Sequence, residues 1–402
     1  MRLRREHGGV PRPIETIRHW NRDFTLLAIA VFAVGVFFGV QLTMYNNFIV
    51  DRLAIEPEDL GVVEALREAP GLLNALIIAG LAGIAAPLSA GLSLILMGAG
   101  LMAYTAVHTV FALALWSVVW SIGFHCWVPL EQTMALQFSQ GEEKGRWLGQ
   151  LRAVSSVGWL LAILVCLTTY RYIGYNGLYV IAGLAAMGGG VAVLFASRKR
   201  TPGERSFVFR RRYSIYYALQ FLQGCRKQMF ITFAIFALVK VHGMPVTTTM
   251  VLVLINQILV TLSGPTVGRW VDRFGERWML SASYLGLIVV FVGYATVTHR
   301  PTLYVLYCID NMIFFGGIAL TTYIYKVAPA EDLKPTLSMG VTMNHASSVA
   351  APLIGGFVWY FFGYEVIFFA GAVLAFISLI VSQWVRPEQF ALENPQVDGA
   401  PG

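Results

Sequence analysis

The sequence predicts an all-α integral membrane protein with twelve transmembrane helices arranged as two six-helix halves. Composition, the lengths of the apolar runs and the placement of positive charge support this fold class. Of the 402 residues, 57% are hydrophobic and 13% are charged, and the mean hydropathy is +0.65. Soluble domains usually carry about 25% charged residues, so the composition excludes an ordinary water-soluble protein.

The apolar runs define the twelve spans, because each is long enough to cross ~30 Å of hydrocarbon. A basic tail at 1–23 precedes them, and a basic loop at 197–213 separates the halves 24–196 and 214–386. We expect a disordered tail at 387–402. The spans lie at 24–50, 60–83, 87–106, 109–137, 147–169, 174–196, 214–240, 246–267, 278–297, 302–327, 336–361 and 365–385.

Positive charge is distributed unevenly between the connections on the two sides of this arrangement. The two terminal tails and the connections on their side contain 21 Lys and Arg residues, and the connections on the other side contain four: Arg52, Arg171, Lys240 and Arg300. Cytoplasmic loops of membrane proteins carry such an excess. The charge therefore predicts an inner-membrane protein with both termini in the cytoplasm, and it explains the net charge of +7 without nucleic acid.

The chain also repeats itself at a nearly constant offset. Residues 39–48 align on 224–233 at an offset of 185, with Gly, Met, an aromatic residue and Phe in common. Residues 174–179 align on 363–368 at an offset of 189, and 155–157 on 347–349 at 192. These matches occur in span order and predict two parallel repeats, an architecture in which transporters place their solute site between the repeats.

The connection after the eighth span carries a family resemblance. It reads Gly268-Arg-Trp-Val-Asp272-Arg273-Phe-Gly275-Glu-Arg277 and resembles the G-x-x-x-D-R-x-G-R-R loop of the major facilitator superfamily. The resemblance implies alternating access, in which the charges of this loop hold neighbouring helix ends in one state. Two departures stand out: the matching loop at 83–91 has no Asp or Arg, and the fifth span lacks the G-P-x-x-G-G element of drug antiporters.

The same resemblance implies that the first, fourth, seventh and tenth spans line a central cavity. Arg226 and Lys227 lie near the middle of the seventh span, where a charge costs at least ~2.5–3.5 kcal/mol. Adjacent helical residues point about 100° apart, so we expect one of them, Arg226, to face the cavity. Its repeat counterpart is Gln41, and Gln223 lies on a neighbouring turn. The alternative is a structural Arg226 that is paired with an acid.

Several further polar residues within the spans are candidates. Asp310 and the adjacent Asn311 enter the tenth span from the other side, so Asp310 can meet Arg226 as a coupling pair or as a permanent structural pair. His125 in the fourth span is either a proton shuttle or a packing residue. Glu131 and Arg152 are predicted to brace the inner gate as a buried pair.

Other groups favour local or structural roles. Glu64, Arg67 and Glu68 are spaced for pairs along one helix and are placed at the outer end of the second span. No two histidines show ligand spacing, so no metal or cofactor is expected. No catalytic set appears in the sequence, and an enzyme is therefore not predicted.

The sequence as a whole favours a secondary transporter for a small polar or amphipathic solute. The central cation favours an anionic or carboxylate-bearing solute, and proton coupling and facilitated diffusion both stay open. We expect the solute, the lipid bilayer and, if coupled, protons as partners, no nucleic acid, and a monomer. The alternatives are a multidrug exporter of the same fold and a transport-inactive sensor or assembly factor, which the degenerate loop at 83–91 would favour.

Overall fold

The computed structural model describes residues 20–73, 84–139, 144–197, 209–313 and 316–386, and its regular elements there are helices. The helix Lys144–Leu194 is broken at Gly174, and its parts 144–173 and 175–194 are called α5 and α6. The tenth helix is described in two parts, which we call α10a and α10b. The other helices are α1 Arg22–Leu53, α2 Pro57–Leu72, α3 Ala86–Met102, α4 Val110–Phe138, α7 Ser214–Lys240, α8 Val246–Phe274, α9 Glu276–Thr296, α11 Ala330–Phe362 and α12 Tyr364–Ser382; α10a is Arg300–Ile313 and α10b is Gly316–Val327.

Every predicted span falls on one of these helices, although 74–83 of the second span and 314–315 of the tenth lie outside the described residues. In hydrocarbon a helix satisfies its own backbone hydrogen bonds, which is why the apolar runs take this form. Eight described helical stretches are long and apolar enough to cross a membrane, and one of them contains the break at Gly174. The twelve-span, all-α membrane fold is thus confirmed.

The predicted repeat is visible in the backbone. Gly174 and Gly363, which the repeat aligns, both have positive φ (60° and 90°) and separate α5 from α6 and α11 from α12. Only glycine takes such angles without steric cost. Gly39 approaches α5 and its counterpart Gly224 approaches α11; a Cβ atom would lie 2.7 Å from the Trp159 carbonyl oxygen and 2.8 Å from that of Asn344, respectively.

The two ends of the helix bundle differ. We call the end that holds the turns 54–56 and 241–245 the far end, and the end nearest residues 22 and 386 the terminal end. At the far end, α2 and α11 cross with their backbones in contact: a Cβ atom on Gly356 would lie 2.5 Å from the Pro57 carbonyl oxygen and 3.0 Å from the Gly61 Cα. Small residues permit this approach between membrane helices.

Hydrogen bonds reinforce the closure of the far end between the halves. The Asn47 side chain donates to the Met244 carbonyl oxygen (2.9 Å) and accepts from the Thr249 hydroxyl (2.7 Å). Lys240 donates to the Ile55 carbonyl oxygen (2.5 Å) and pairs with Glu56 (2.9 Å). These contacts, together with the crossing of α2 and α11, close the far end between the halves.

Candidate functional site

A group of charged and polar side chains lies between the halves at mid-length of the helices. It comes from α2, α4, α7, α10 and α11, so α2 and α11 contribute in addition to the predicted lining helices. We call it the central cluster. Its members are Glu64, Arg67, Glu68, His125, Arg226, Lys227, Asp310, Asn344 and His345.

Arg226 and Asp310 form a buried ion pair between α7 and α10. Their side-chain atoms Nη1 and Oδ1 are 3.3 Å apart, and the two residues are 2% and 5% exposed. The contact predicted from helix depth is therefore present. Because the pair is compensated, Arg226 does not offer a free positive charge in this arrangement. Whether the pair couples transport or only stabilises the fold stays a prediction.

Lys227 points from α7 toward α11. Its Nζ donates to Asn344 Oδ1 over 3.1 Å, and within the described chain it has no acidic side chain within ion-pair distance. The side chain is only partly buried. The expected divergence of the two adjacent cations is observed, but the cation without an acidic partner is Lys227 and not Arg226. Among the described residues of the central cluster, Lys227 is thus the cation that forms no ion pair.

The acidic and basic residues of α2 pair along the helix, as expected, and they are buried between the halves. Arg67 Nη2 lies 2.5 Å from Glu64 Oε2 and 3.0 Å from Glu68 Oε1. These side chains are largely buried, and the Arg67 guanidinium faces the ring of Trp120 at 5.6 Å. Mutual compensation makes their burial possible, since an unpaired charge in the interior is costly.

Two histidines that are far apart in the sequence lie side by side in the structure. The expectation that the histidines are isolated from one another was therefore wrong. His125 of α4 and His345 of α11 have ring centroids 5.2 Å apart. His345 Nδ1 lies 3.6 Å from Glu68 Oε2, and the donor atoms of all three residues lie within 4.8 Å of one another. The three residues are distant in sequence, and no local motif could have revealed the group.

The remaining predicted solute contacts lie around the central cluster. Gln41 is 1% exposed and borders a cavity of about 30 Å³ together with Tyr45 and Thr232. Gln223 is buried on α7, one turn before Arg226 and Lys227. Asn311 donates to the Tyr307 carbonyl oxygen of its own helix (2.9 Å), which uses one N–H of its amide. No sequence pattern indicated this hydrogen bond within α10a.

The predicted pair near the terminal end is not a direct contact. Glu131 and Arg152 line one cavity of about 210 Å³ between α4 and α5, and no ion pair between them is described. The two residues therefore share a polar recess, and their bracing role stays a prediction.

The loop between α8 and α9 has the backbone that its glycine pattern requires. Gly275 has φ 79° and ends α8, and Arg277 donates to Gln383 Oε1 of the last turn of the chain's described part (3.0 and 3.2 Å). Asp272 and Arg273 are exposed, whereas the backbone of Gly268 is helical. Glu276, which sequence analysis did not single out, is buried and pairs with Lys326 of α10b at 2.7 Å.

Comparisons with known proteins find sequence similarity to transporters over part of the chain. Residues 216–399 match the family model of the Major Facilitator Superfamily. The Staphyloferrin B transporter of Staphylococcus aureus (strain NCTC 8325 / PS 47) is 29% identical over 124 residues, 31% of this chain and 29% of that protein. The class E tetracycline resistance protein of Escherichia coli is 29% identical over 134 residues, 33% of each chain. The chain thus aligns with about a third of the length of these relatives.

Solved structures resemble the chain over nearly its whole length. The nucleoside transporter NupG superposes with a TM-score of 0.75 at 16% identity, covering 90% of this chain and 98% of the other. A bacterial homolog of the human lysosomal transporter Spinster, in an inward-facing and unoccupied conformation, gives 0.74 at 13% identity, covering 96% and 99%. At these identities the likeness establishes the fold.

Proposed function

We propose that this chain, whose residues 216–399 match the family model of the Major Facilitator Superfamily, moves a small anionic or carboxylate-bearing solute across a membrane by alternating access. The observation that carries the proposal is Lys227, a cation between the two halves whose described polar partner is the neutral Asn344 amide. An ammonium group without an acidic partner at this depth is costly, and an anionic solute would compensate it.

The closed far end supports the alternating-access part of the proposal. With α2 and α11 in backbone contact and Asn47 bonded across the halves, a solute would reach Lys227 from the terminal end. The excess of Lys and Arg on that side favours a cytoplasmic location for both termini. We therefore propose that the described arrangement is the cytoplasm-facing state.

A multidrug exporter is the second candidate, because the matching relatives include tetracycline resistance proteins and a Multidrug resistance protein 2 of Bacillus subtilis (strain 168). The two candidates differ in the charge of the solute. Counterflow in proteoliposomes separates them, with radiolabelled carboxylates such as lactate, succinate and citrate compared against cationic dyes. Exchange of a carboxylate supports the proposal, whereas exchange of cationic dyes alone contradicts it. Absence of exchange with either set favours the transport-inactive sensor.

Substitution of Lys227 by Gln tests the residue that carries the proposal. We expect the apparent affinity for the exchanged carboxylate to fall about ten- to hundred-fold, because a hydrogen bond to a charged group contributes ~1.5–3 kcal/mol. The melting temperature in detergent should change little, since Lys227 forms no direct ion pair in the described part of the chain. Lys227→Arg should keep most of the affinity, and the exposed Arg171→Gln is the matched control. Unchanged affinity in Lys227→Gln would exclude the cation as the solute contact.

A further inference from the structure

Glu68, His125 and His345 converge from three helices and both halves of the molecule. Two imidazoles and one carboxylate are a donor set that suits Zn²⁺, Co²⁺, Ni²⁺ or Fe²⁺ better than Mg²⁺ or Ca²⁺. We infer that these three residues form a binding site for a divalent transition-metal ion that ties the two halves together. This inference is independent of the solute, because it concerns binding of the ion itself.

The distances between the donor atoms are close to those of a metal site. Glu68 Oε2 and His345 Nδ1 are 3.6 Å apart, and all three donors lie within 4.8 Å of one another. Zinc bonds of ~2.0–2.2 Å in a tetrahedral arrangement place donor atoms ~3.3–3.5 Å apart. The widest separation must therefore contract by ~1.4 Å, which small side-chain rotations can supply.

The proposed donor atoms accept no hydrogen bond within the described part of the chain. Other atoms of the His125 and Glu68 side chains are fixed by neighbouring residues. His125 Nδ1 lies 2.9 Å from the Ser121 carbonyl oxygen, which leaves Nε2 as the ligand atom. Metal-binding histidines commonly donate their other ring N–H to such an acceptor. Arg67 holds Oε1 of Glu68 and leaves Oε2 available. His345 Nδ1 is buried without a hydrogen-bond partner in the described part of the chain.

Gly71 provides the space in which the two imidazoles meet. A Cβ atom at this position would lie 2.5 Å from His125 Nε2 and 2.6 Å from His345 Nδ1. Both nitrogens therefore approach the backbone of α2 at one point, and any side chain there would displace them. Glycine at this position permits the donors to converge.

The surrounding charges limit the affinity and leave the carboxylate available. Glu64 also pairs with Arg67, so the negative charge of Glu68 is only partly compensated. Lys227 of α7 donates to Asn344, the residue before His345, and its positive charge opposes a bound cation, so we expect moderate affinity. Because α2 and α4 belong to the first half and α11 to the second, a bound ion would stabilise the arrangement in which the far end is closed.

Titration of the purified full-length protein with Co²⁺ tests the site, because its visible absorption reports the ligand geometry. We expect saturable binding of one Co²⁺ ion per protein. Its visible absorption should be that of a four-coordinate site with nitrogen ligands, and added Zn²⁺ should displace the Co²⁺. Glu68→Gln, His125→Ala and His345→Ala should each weaken binding at least ten-fold. His242→Ala, outside the cluster, should bind as the wild type does.

Gly71→Ala provides a variant that keeps all three donors. We expect Co²⁺ affinity to fall at least ten-fold, whereas Gly188→Ala, at a glycine with open space around it, should have no effect. A second readout is the distribution of distances between spin labels placed on the two halves at the terminal end. Zn²⁺ should reduce this distribution to one population in the wild type and leave it unchanged in His345→Ala. The inference would be overturned if Co²⁺ did not bind saturably, or if the wild type and all variants bound it equally. It would also be overturned if the histidines responded only to pH and not to added metal ion.

Discussion

Replacement of Asp310 by Asn is expected to cause the largest loss of stability of any single substitution at the central cluster. Arg226 is 2% exposed, and its described ionic partner is Asp310 at 3.3 Å. Removing one partner of a buried pair leaves an uncompensated charge, which typically costs ~3–5 kcal/mol. We expect a marked fall in the melting temperature of the purified protein in detergent, with Arg226→Gln destabilising it by a similar mechanism through the stranded carboxylate.

The double variant Arg226→Gln/Asp310→Asn separates the structural role of the pair from a coupling role. Stability should largely return, because neither charge is left alone, and a double-mutant cycle gives the interaction energy. A structural pair would also regain exchange activity, whereas a coupling pair would leave transport impaired and its pH dependence changed. The exposed Arg171→Gln should match the wild type throughout. A melting temperature unchanged by Asp310→Asn would contradict the buried pair itself.

The sequence predicts the features that depend on the length of the apolar runs, on the internal repeat and on the direction of each helix. Apolar run length gives the spans because the bilayer thickness fixes it, and Gly174 and Gly363 mark equivalent turns because both require positive φ. The Arg226–Asp310 contact followed from counting residues along two antiparallel helices at 1.5 Å each. Depth along a helix is therefore predictable from the sequence, and so are contacts that depend on depth alone.

Features that depend on the rotation and crossing of helices were not accessible. Sequence shows that Arg226 and Lys227 diverge, but not that α10 offers an acid to Arg226 while α11 offers only the Asn344 amide to Lys227. The grouping of Glu68 with His345 arises where α2 and α11 cross, and the crossing is set by packing between small residues of both helices. No local pattern records such a crossing, so the metal-ligand geometry was missed.

Replacement of Gly61 by Leu is the second substitution with a large expected effect, and it acts on that crossing. A Cβ atom at Gly61 would collide with the carbonyl oxygen of Pro352 and lie 3.0 Å from the Cα of Gly356. Both neighbours are backbone atoms of α11 and cannot rotate away. The added side chain must therefore separate α2 from α11, open the far end and disfavour the described state.

Solute exchange and cysteine labelling measure this effect. We expect Gly61→Leu to lose most of its exchange activity and a cysteine introduced near the far-end turn 241–245 to react faster with a water-soluble maleimide. Gly188→Leu is the matched control, since nothing lies within 4 Å of a Cβ atom there, and it should keep both activity and labelling rate. Normal exchange with unchanged labelling in Gly61→Leu would show that contact between α2 and α11 is not what closes the far end, and closure would then rest on the hydrogen bonds of Asn47 and Lys240.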